Sequence, residues 1–280
     1  MPSLVTLRRR LPQILRTRFA GWSEADQPKP VTPVERCKIF ASIGQYHQPS
    51  YGTPLDGRRN AKIVVFGLPK SGNVWLVSLL SDYTGLKPID PFTDVEARGV
   101  GMCHLPYSEE IASRADFIHG VYLVRDLRDV IVSYFWHTQT EGFQKAFPNF
   151  HYPTIDHFYY EWFLPRVIPF HQVLTHAQEF TIRGVPPILY ERLYDDPVAE
   201  FGRLIKRLGL HFDPERVALV VEQNRIDRLR NSGKQLDVFV PSTHFRKGGY
   251  GNYRRELPPN IIVHVNETFG DVLKRWGYEV

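Results

Sequence analysis

The sequence predicts an α/β protein with a central parallel sheet flanked by helices, and three observations carry that prediction. The apolar run Ile63-Val64-Val65-Phe66 ends in Gly67 and is followed by a tight turn and the segment Asn73–Tyr83, as expected where a buried parallel strand feeds a helix. The same order recurs at Phe117–Val124 followed by Asp129–His137. A third short strand at Ile188, Leu189 and Tyr190 precedes a helix over Pro197–Leu208, and strands alternating with helices are the pattern of α/β layers.

The elements read as follows. Leu4, Leu7, Leu11, Ile14, Leu15 and Phe19 recur at roughly helical spacing among arginines, with Pro12 as an interruption; such a segment packs on its own core or lies on a partner or an anionic membrane surface. Residues 21–60 are rich in Pro, Gly and polar residues and read as an irregular lead-in. Ala61–Gly67 is the first strand, and Val74, Trp75, Val77 and Leu80 give the helix after it an apolar side, with Gly85 as its stop. Gly209 closes the helix that starts at Pro197. Between His137 and His176 aromatics crowd together, among them Phe143, Phe147, Phe150, Tyr152, Phe158, Tyr159, Trp162 and Phe163. Some are core and others line an apolar pocket or cover, and the pattern does not divide them. No repeat or interdomain linker is visible, so residues 1–280 read as one domain with 1–60 as a divergent lead-in.

Composition bounds the function. In 280 residues, 42% are hydrophobic and 23% charged, which is the make-up of a folded globular protein and not of a disordered or coiled-coil chain. The net charge of +5 allows an anionic ligand, but the cations are not spread as the stripe that nucleic acid needs. Two cysteines, Cys37 and Cys103, make no disulfide framework and favour a reducing compartment. No stretch approaches the ~20 apolar residues of a membrane span, and no signal peptide follows the basic Arg8-Arg9-Arg10. A cytoplasmic protein, with peripheral membrane contact open only through residues 1–20, is the expectation. The sequon at Asn266-Glu267-Thr268 reads as accidental.

Three constellations carry chemistry. In Leu68-Pro69-Lys70-Ser71-Gly72-Asn73-Val74-Trp75, a turn between strand and helix presents unpaired backbone N–H groups and the positive end of the helix dipole to an anion. Lys70 adds a cation, Ser71 and Asn73 add donors, and Gly72 allows close approach. An ordinary turn with an exposed lysine would share this outline, and neither G-x-x-x-x-G-K-[ST] nor G-x-G-x-x-G is present. In the second, Arg125 follows a strand end, where open α/β sheets bind ligands, and Ser133 lies eight residues on in the next helix. The pair can hold a phosphate, although a local ion pair between Arg125 and Asp129 reads equally well. In the third, Phe245-Arg246-Lys247-Gly248-Gly249-Tyr250-Gly251-Asn252-Tyr253-Arg254 sets two cations among three glycines, a basic loop able to wrap an anion.

Together these segments resemble the sulfotransferases that use 3′-phosphoadenosine-5′-phosphosulfate (PAPS), and in particular their cytosolic branch. PKSGNVW is similar to the 5′-phosphosulfate loop P-K-[ST]-G-T-T-W, YLVRDLRDVIVSYFWH to the 3′-phosphate motif, and RKGGYGNYR to the carboxyl-terminal R-K-G-x-x-G-D-W-K. Cys103-His104-Leu105-Pro106 is similar to the T-H-L-P of the catalytic histidine, and Tyr190–Pro197 to Y-E-D-x-x-x-D-P. The resemblance implies a P-loop-like three-layer fold and a role for each matching position. Lys70, Ser71, Gly72, Asn73 and Val74 would hold the 5′-phosphate and sulfate, and Trp75 would flank adenine. Arg125, Ser133, Arg246, Lys247 and Gly248 would hold the 3′-phosphate, with Tyr190 near the adenine edge and Ile226 on the other face of the base. His104 would take the proton of the acceptor hydroxyl and Lys70 would stabilise the leaving oxygen. The product would be adenosine 3′,5′-bisphosphate, and the chemistry requires no metal.

The chain departs from the family pattern at Asn73-Val74, where two threonines are usual, at Met102, where a lysine is common, and at Gly251-Asn252-Tyr253-Arg254. Three functions are therefore weighed. The first is sulfuryl transfer to a small-molecule hydroxyl on a phenol, alcohol, lipid or glycoside. The second is a P-loop nucleotide kinase or NTPase, which the absent G-K-[ST] opposes. The third is a nucleotide-binding relative without turnover, for which Met102 gives a foothold. A homodimer is left open.

Overall fold

The computed structural model describes residues 62–92, 98–109, 111, 119–231 and 247–280. The sequence expectations for residues 1–60, including Cys37, therefore lie outside the described residues, as does Arg246. Among the described residues, four strands, β1 (Lys62–Phe66), β2 (Gly99–Cys103), β3 (His119–Val124) and β4 (Pro187–Leu189), form one parallel sheet in the order β2-β1-β3-β4. The register pairs Val65 with Met102 and with Val121, and Leu123 with Ile188.

All five residues of β1 and all six of β3 are buried, because helices cover both faces of the sheet. On one face Ile63, Val65, Val121 and Leu123 meet α1 (Asn73–Thr84), α6 (Pro197–Arg207) and α7 (Pro214–Gln223). On the other, Val64, Phe66, Tyr122 and Val124 meet Phe180 of α4 (His176–Ile182). These are the expected three layers. A further core beyond the sheet joins α2 (Leu127–Thr138), the π-helix Phe158–Val167 and α10 (Pro259–Arg275), which follows the short α8 (Ile226–Asn231) and α9 (Tyr253–Glu256), through Val130, Ile131, Phe158, Phe163, Val265 and Phe269. The aromatic stretch divides here. Phe158, Tyr159 and Phe163 are core, and Phe147 is exposed. Pro165 lies inside the π-helix, where its missing N–H removes an ordinary helical bond. The N–H of Ile168 reaches back five residues to the carbonyl of Phe163.

Several boundaries differ from the sequence reading. Residues 117 and 118 lie outside the described residues, and β3 starts at His119. The helix expected from Asp129 begins at Leu127, because the Asp126 side chain caps it by accepting the Arg128 N–H at 2.9 Å. Tyr190 leaves the strand and opens α5 (Tyr190–Asp195). The strand β2 carries no strand signal in the sequence. Its sequence Gly99-Val100-Gly101-Met102-Cys103 has low β-propensity, and its glycines serve close packing. A Cβ on Gly99 would stand 2.5 Å from Ile89, and one on Gly101 would stand 2.8 Å from Pro91. No sequence expectation covers the long α10, although Ile261, Val265, Phe269 and Leu273 recur every four residues and are buried. The sequon's Asn266 lies inside α10 and accepts a hydrogen bond from Arg128 at 3.0 Å.

Candidate active site

Four strand exits place the chemistry. The residue after β1 is Gly67, after β2 His104, after β3 Arg125 and after β4 Tyr190. All stand at the carboxyl edge of the sheet, where the strand order reverses between β1 and β3. They open into a cavity of about 380 Å³ whose lining includes Lys70, Gly72, Asn73, Val74, Trp75, Met102, His104, Arg125, Ser133, Tyr190, Ile226, Lys247 and Gly248. The sequence-predicted residues are thus brought together, with two exceptions. Ser71 is 1% exposed and is not among the lining residues, and Arg246 lies outside the described residues.

The turn from β1 to α1 is shaped by main-chain demands. Lys70 has a φ of 71° and Gly72 one of 103°, a region that ordinary side chains enter only under constraint. A Cβ on Gly72 would stand 2.7 Å from the Tyr190 ring, so only glycine fits. Gly72 caps α1 with no side-chain hydrogen bond, and the first turn holds no acidic residue. The N–H groups of that turn can therefore serve an anion. Trp75 is fixed by its Nε1, which donates to the Asn224 carbonyl at 2.9 Å, and it meets Tyr190 edge-on at 5.9 Å.

Arg125 ties this turn to the carboxyl-terminal loop. Its guanidinium donates to the carbonyls of Lys70 at 2.9 Å and Gly249 at 3.0 Å, and it stacks 4.2 Å above the Tyr190 ring. Its Nε is buried with no hydrogen-bond partner among the described residues. Asp129 does not make the local ion pair that was the alternative reading of this segment. Its carboxylate accepts the N–H of Gly251 at 2.5 Å and that of Tyr253 at 3.0 Å, so it anchors the loop that carries Lys247 and Gly248. Burial pushes its pKa upward against the pull of Arg125 and of the two N–H groups. The positive φ of 71° at Gly248 brings that loop onto Ile226, 3.1 Å from a built Cβ.

His104 is held from below. Its Nδ1 lies 2.8 Å from the Gly67 carbonyl and 3.2 Å from the Asn73 amide nitrogen. A carbonyl can only accept, so Nδ1 carries the proton and Nε2 is the basic nitrogen. Asn73 donates instead to the Leu68 carbonyl at 3.0 Å. Gly67 is required here, because a Cβ would stand 2.7 Å from Asn73 Oδ1 and 2.8 Å from the Leu123 carbonyl. Neighbouring Cys103 is a buried thiol that burial pushes up to about 11, which makes it unreactive.

The other wall is largely apolar, with Met102, Tyr134, His137, Phe143 and His171. Sequence reasoning did not assign His171, His137 or Asn252 to the site. His171 bonds the His104 carbonyl 67 residues away, which no local motif announces, and Asn252 stands in the basic loop Phe245–Arg254, where only Arg246, Lys247 and Gly248 are marked as phosphate contacts. Among the described residues, no group of three or more His, Cys, Asp or Glu side chains is placed to hold a metal ion, and no helix is long and apolar enough to cross a membrane.

The family model described as "Sulfotransferase domain" matches residues 103–277, more than half of the chain. The chain belongs to the sulfotransferase family. Sulfotransferase 1A1 of Mus musculus is 23% identical over 88% of this chain and 94% of its own length. Cytosolic sulfotransferase 3 of Arabidopsis thaliana is 22% identical over 78% of this chain and 79% of its own. Among solved structures, mouse sulfotransferase SULT7A1 complexed with PAP aligns with a TM-score of 0.63 at 20% identity, covering 78% of this chain and 86% of that one. A retinol dehydratase in complex with androsterone and the inactive cofactor PAP aligns at 0.58 and 16% identity, over 78% and 82%. These structures share the three-layer fold of this sulfotransferase.

Proposed function

We propose that this sulfotransferase moves the sulfuryl group of PAPS to a hydroxyl on a small, largely apolar acceptor, with His104 as general base and Lys70 at the leaving oxygen. The observation that supports this most directly is the commitment of His104 Nδ1 to the Gly67 carbonyl at 2.8 Å. It leaves the basic nitrogen to a ring that lines the same cavity as Lys70.

The residues present fit the donor. The uncapped start of α1 and the glycine turn beneath Tyr190 form a cradle that a Cβ would fill. Lys70, Asn73 and the first-turn N–H groups, Val74 among them, would hold the 5′-phosphate and the sulfate. Buried Ser71 would contribute from beneath the turn, where its N–H donates to the Leu68 carbonyl at 3.2 Å. Arg125, Ser133, Lys247 and Gly248, with Arg246, would hold the 3′-phosphate. Trp75, Tyr190 and Ile226 would enclose the base. When bound, the donor supplies an activated sulfuryl group on a phosphate leaving group. Transfer in line resembles phosphoryl transfer in its demands, namely alignment and neutralisation of charge on the leaving oxygen. His104 Nε2 takes the proton of the acceptor hydroxyl as its oxygen bonds to sulfur. Lys70 and the dipole of α1 stabilise the phosphate oxygen released when the sulfur–oxygen bond breaks.

The acceptor wall of Met102, Tyr134 and Phe143 favours a hydroxyl on an apolar scaffold. The related retinol dehydratase structures, which contain androsterone or retinol, are consistent with such an acceptor. The test is calorimetric titration with adenosine 3′,5′-bisphosphate, with ATP and Mg²⁺ as the control, followed by a screen of phenols and alcohols with labelled PAPS. Tight bisphosphate binding and weak ATP binding are expected. A folded sample that ignores the bisphosphate overturns the reading, and strong ATP binding promotes a kinase instead.

A further inference from the structure

We propose that His176 and His171 are positioning residues that clamp the backbone carbonyl of His104 and thereby set where the base stands. The proposal rests on the reading of His104 as the proton acceptor. His171 Nδ1 lies 2.7 Å from the His104 carbonyl oxygen, and His176 Nε2 lies 3.2 Å from the same atom. The Tyr122 hydroxyl lies 2.7 Å from His176 Nδ1.

The directions of these bonds follow from what each atom can do. A carbonyl only accepts, so both imidazoles donate to it. His176 therefore carries its proton on Nε2, and its bare Nδ1 accepts the Tyr122 hydroxyl. His171 carries its proton on Nδ1. The two rings are locked in opposite tautomers around one oxygen, and each lone pair of that oxygen has a donor.

Position explains why a clamp is needed. Among the described residues, β2 is the outermost strand of the sheet, bridged on its outer side only at Val100 by residues 87–89, and its pairing with β1 ends at Cys103, whose carbonyl accepts the Gly67 N–H at 3.2 Å. His104 is the first residue beyond the ladder, and Pro106 two residues later has no N–H to donate. The anchors come from other parts of the fold: Tyr122 from β3, His176 from the start of α4, and His171 from the turn before it. The Gly67 carbonyl fixes the ring of His104, and the two histidines fix its main chain. Burial holds His171 at about 4 and His176 at about 3, against the upward pull of the carbonyls they bond. The clamp therefore keeps its neutral form through the range near 6.5 where an ordinary histidine titrates.

Amide side chains test the geometry. The amide nitrogen of Gln reaches the place of a ring Nε2, and that of Asn reaches the place of Nδ1. The measurements are transfer from PAPS to 2-naphthol and calorimetric binding of adenosine 3′,5′-bisphosphate. His176→Phe is expected to lose on the order of a hundredfold in kcat, the scale of a misplaced catalytic group. Its bisphosphate Kd is expected to stay within about twofold of the unmodified protein. His176→Gln should recover most of the loss and His176→Asn should not, whereas at His171 the Asn variant should be the one that recovers. Unchanged kcat in His176→Phe, equal behaviour of Gln and Asn at both sites, or bisphosphate affinity falling in step with kcat would each overturn the clamp. Tyr122→Phe and ring-nitrogen NMR of the unmodified protein cover the case in which the buried Phe variant fails to fold or 2-naphthol is not accepted. The expected signature is Nε2–H at His176, with its Nδ1 signal moving in Tyr122→Phe. Nδ1–H at His176 rules the proposal out. The tautomers are read without turnover, so the clamp and the sulfotransferase reading fail separately: absent bisphosphate binding with these tautomers present leaves the clamp standing.

Discussion

The two walls of the cavity are built by different means. The wall that carries Lys70 and Arg125 is mostly main chain: a glycine turn, an uncapped helix start and a basic loop pinned by two N–H bonds to Asp129. The wall that carries His104 and Phe143 is lined by side chains, with imidazoles fixed by main-chain carbonyls and aromatic rings packed edge to face. On the proposed function the first wall meets a nucleotide's phosphates, which are the same in every turnover, so a rigid main-chain cradle suits them. An acceptor hydroxyl must be met by a group of the right basicity, and that is a side-chain property.

This contrast predicts that the two walls fail differently. His104→Ala is expected to lower kcat about a thousandfold, the range of a general base, and to leave bisphosphate affinity unchanged. Lys70→Ala is expected to lower kcat about a hundredfold, comparable to loss of one charge-stabilising donor, and to weaken bisphosphate binding as well. The backbone strain at φ 71° is the same for Lys and Ala, so it does not confound the comparison. Steady-state kinetics with calorimetry checks both, and His104→Ala near the parental rate would remove it as the base.

Acid should strike the acceptor wall through His171 and His176. Their folded pKa values are depressed to about 4 and about 3 by burial, while in the unfolded chain they rise to near 6.5. The unfolded state then binds more protons below that value, and stability falls as the pH drops from about 7 toward 4. At pH 5 each group is expected to cost roughly 2 kcal/mol relative to pH 7.5. Urea unfolding of the parent and of His171→Asn/His176→Gln at the two pH values measures it. The variant should lose less stability on acidification, and equal losses would show that neither imidazole is buried neutral.

The same contrast explains what the sequence reveals. Strand, turn and helix at 62–84 are legible because every requirement is local: an apolar run, glycines, then an apolar helix side. Arg125 is legible because it follows a strand, whereas Tyr190 reads as part of a strand and is placed near the base only by the family resemblance. The functions of Asp129, His171 and His176 are not legible, since their partners lie as far away as 124 residues for Asp129 and Tyr253 and 72 residues for His176 and His104. β2 is hidden for a related reason. Its glycines look like a loop until Ile89 and Pro91 are seen lying across them.

Two glycines sharpen the comparison in stability. Gly72→Ala puts a Cβ 2.7 Å from the Tyr190 ring at a φ of 103°, so a loss of about 1–3 kcal/mol is expected, with weaker bisphosphate binding. Gly142, inside α3 (Glu141–Ala146) near the acceptor wall, has nothing within 4 Å of a built Cβ. Gly142→Ala is expected to stabilise by about 0.5–1 kcal/mol through helix propensity. Thermal unfolding of the pair decides whether the main chain is demanding only on the phosphate side.

The smallest effect on turnover is expected at Met102, where the two walls meet. It lines the cavity two residues before His104 and is partly buried. An ammonium introduced there by Met102→Lys would stand near the transferring group. A charge about 5 Å from a developing anion is worth about 3 kcal/mol at an effective dielectric of about 20. Most of that gain is offset, because the new cation must be desolvated among Tyr134, Phe143 and the neutral ring of His171, and Lys70 and Arg125 already repel it. The remainder, on the order of 1 kcal/mol, corresponds to a severalfold rise in kcat with tighter PAPS binding. A fall in kcat with unchanged PAPS affinity would mean that this wall works because it is uncharged, and that Lys70 with the start of α1 already supplies the stabilisation transfer requires.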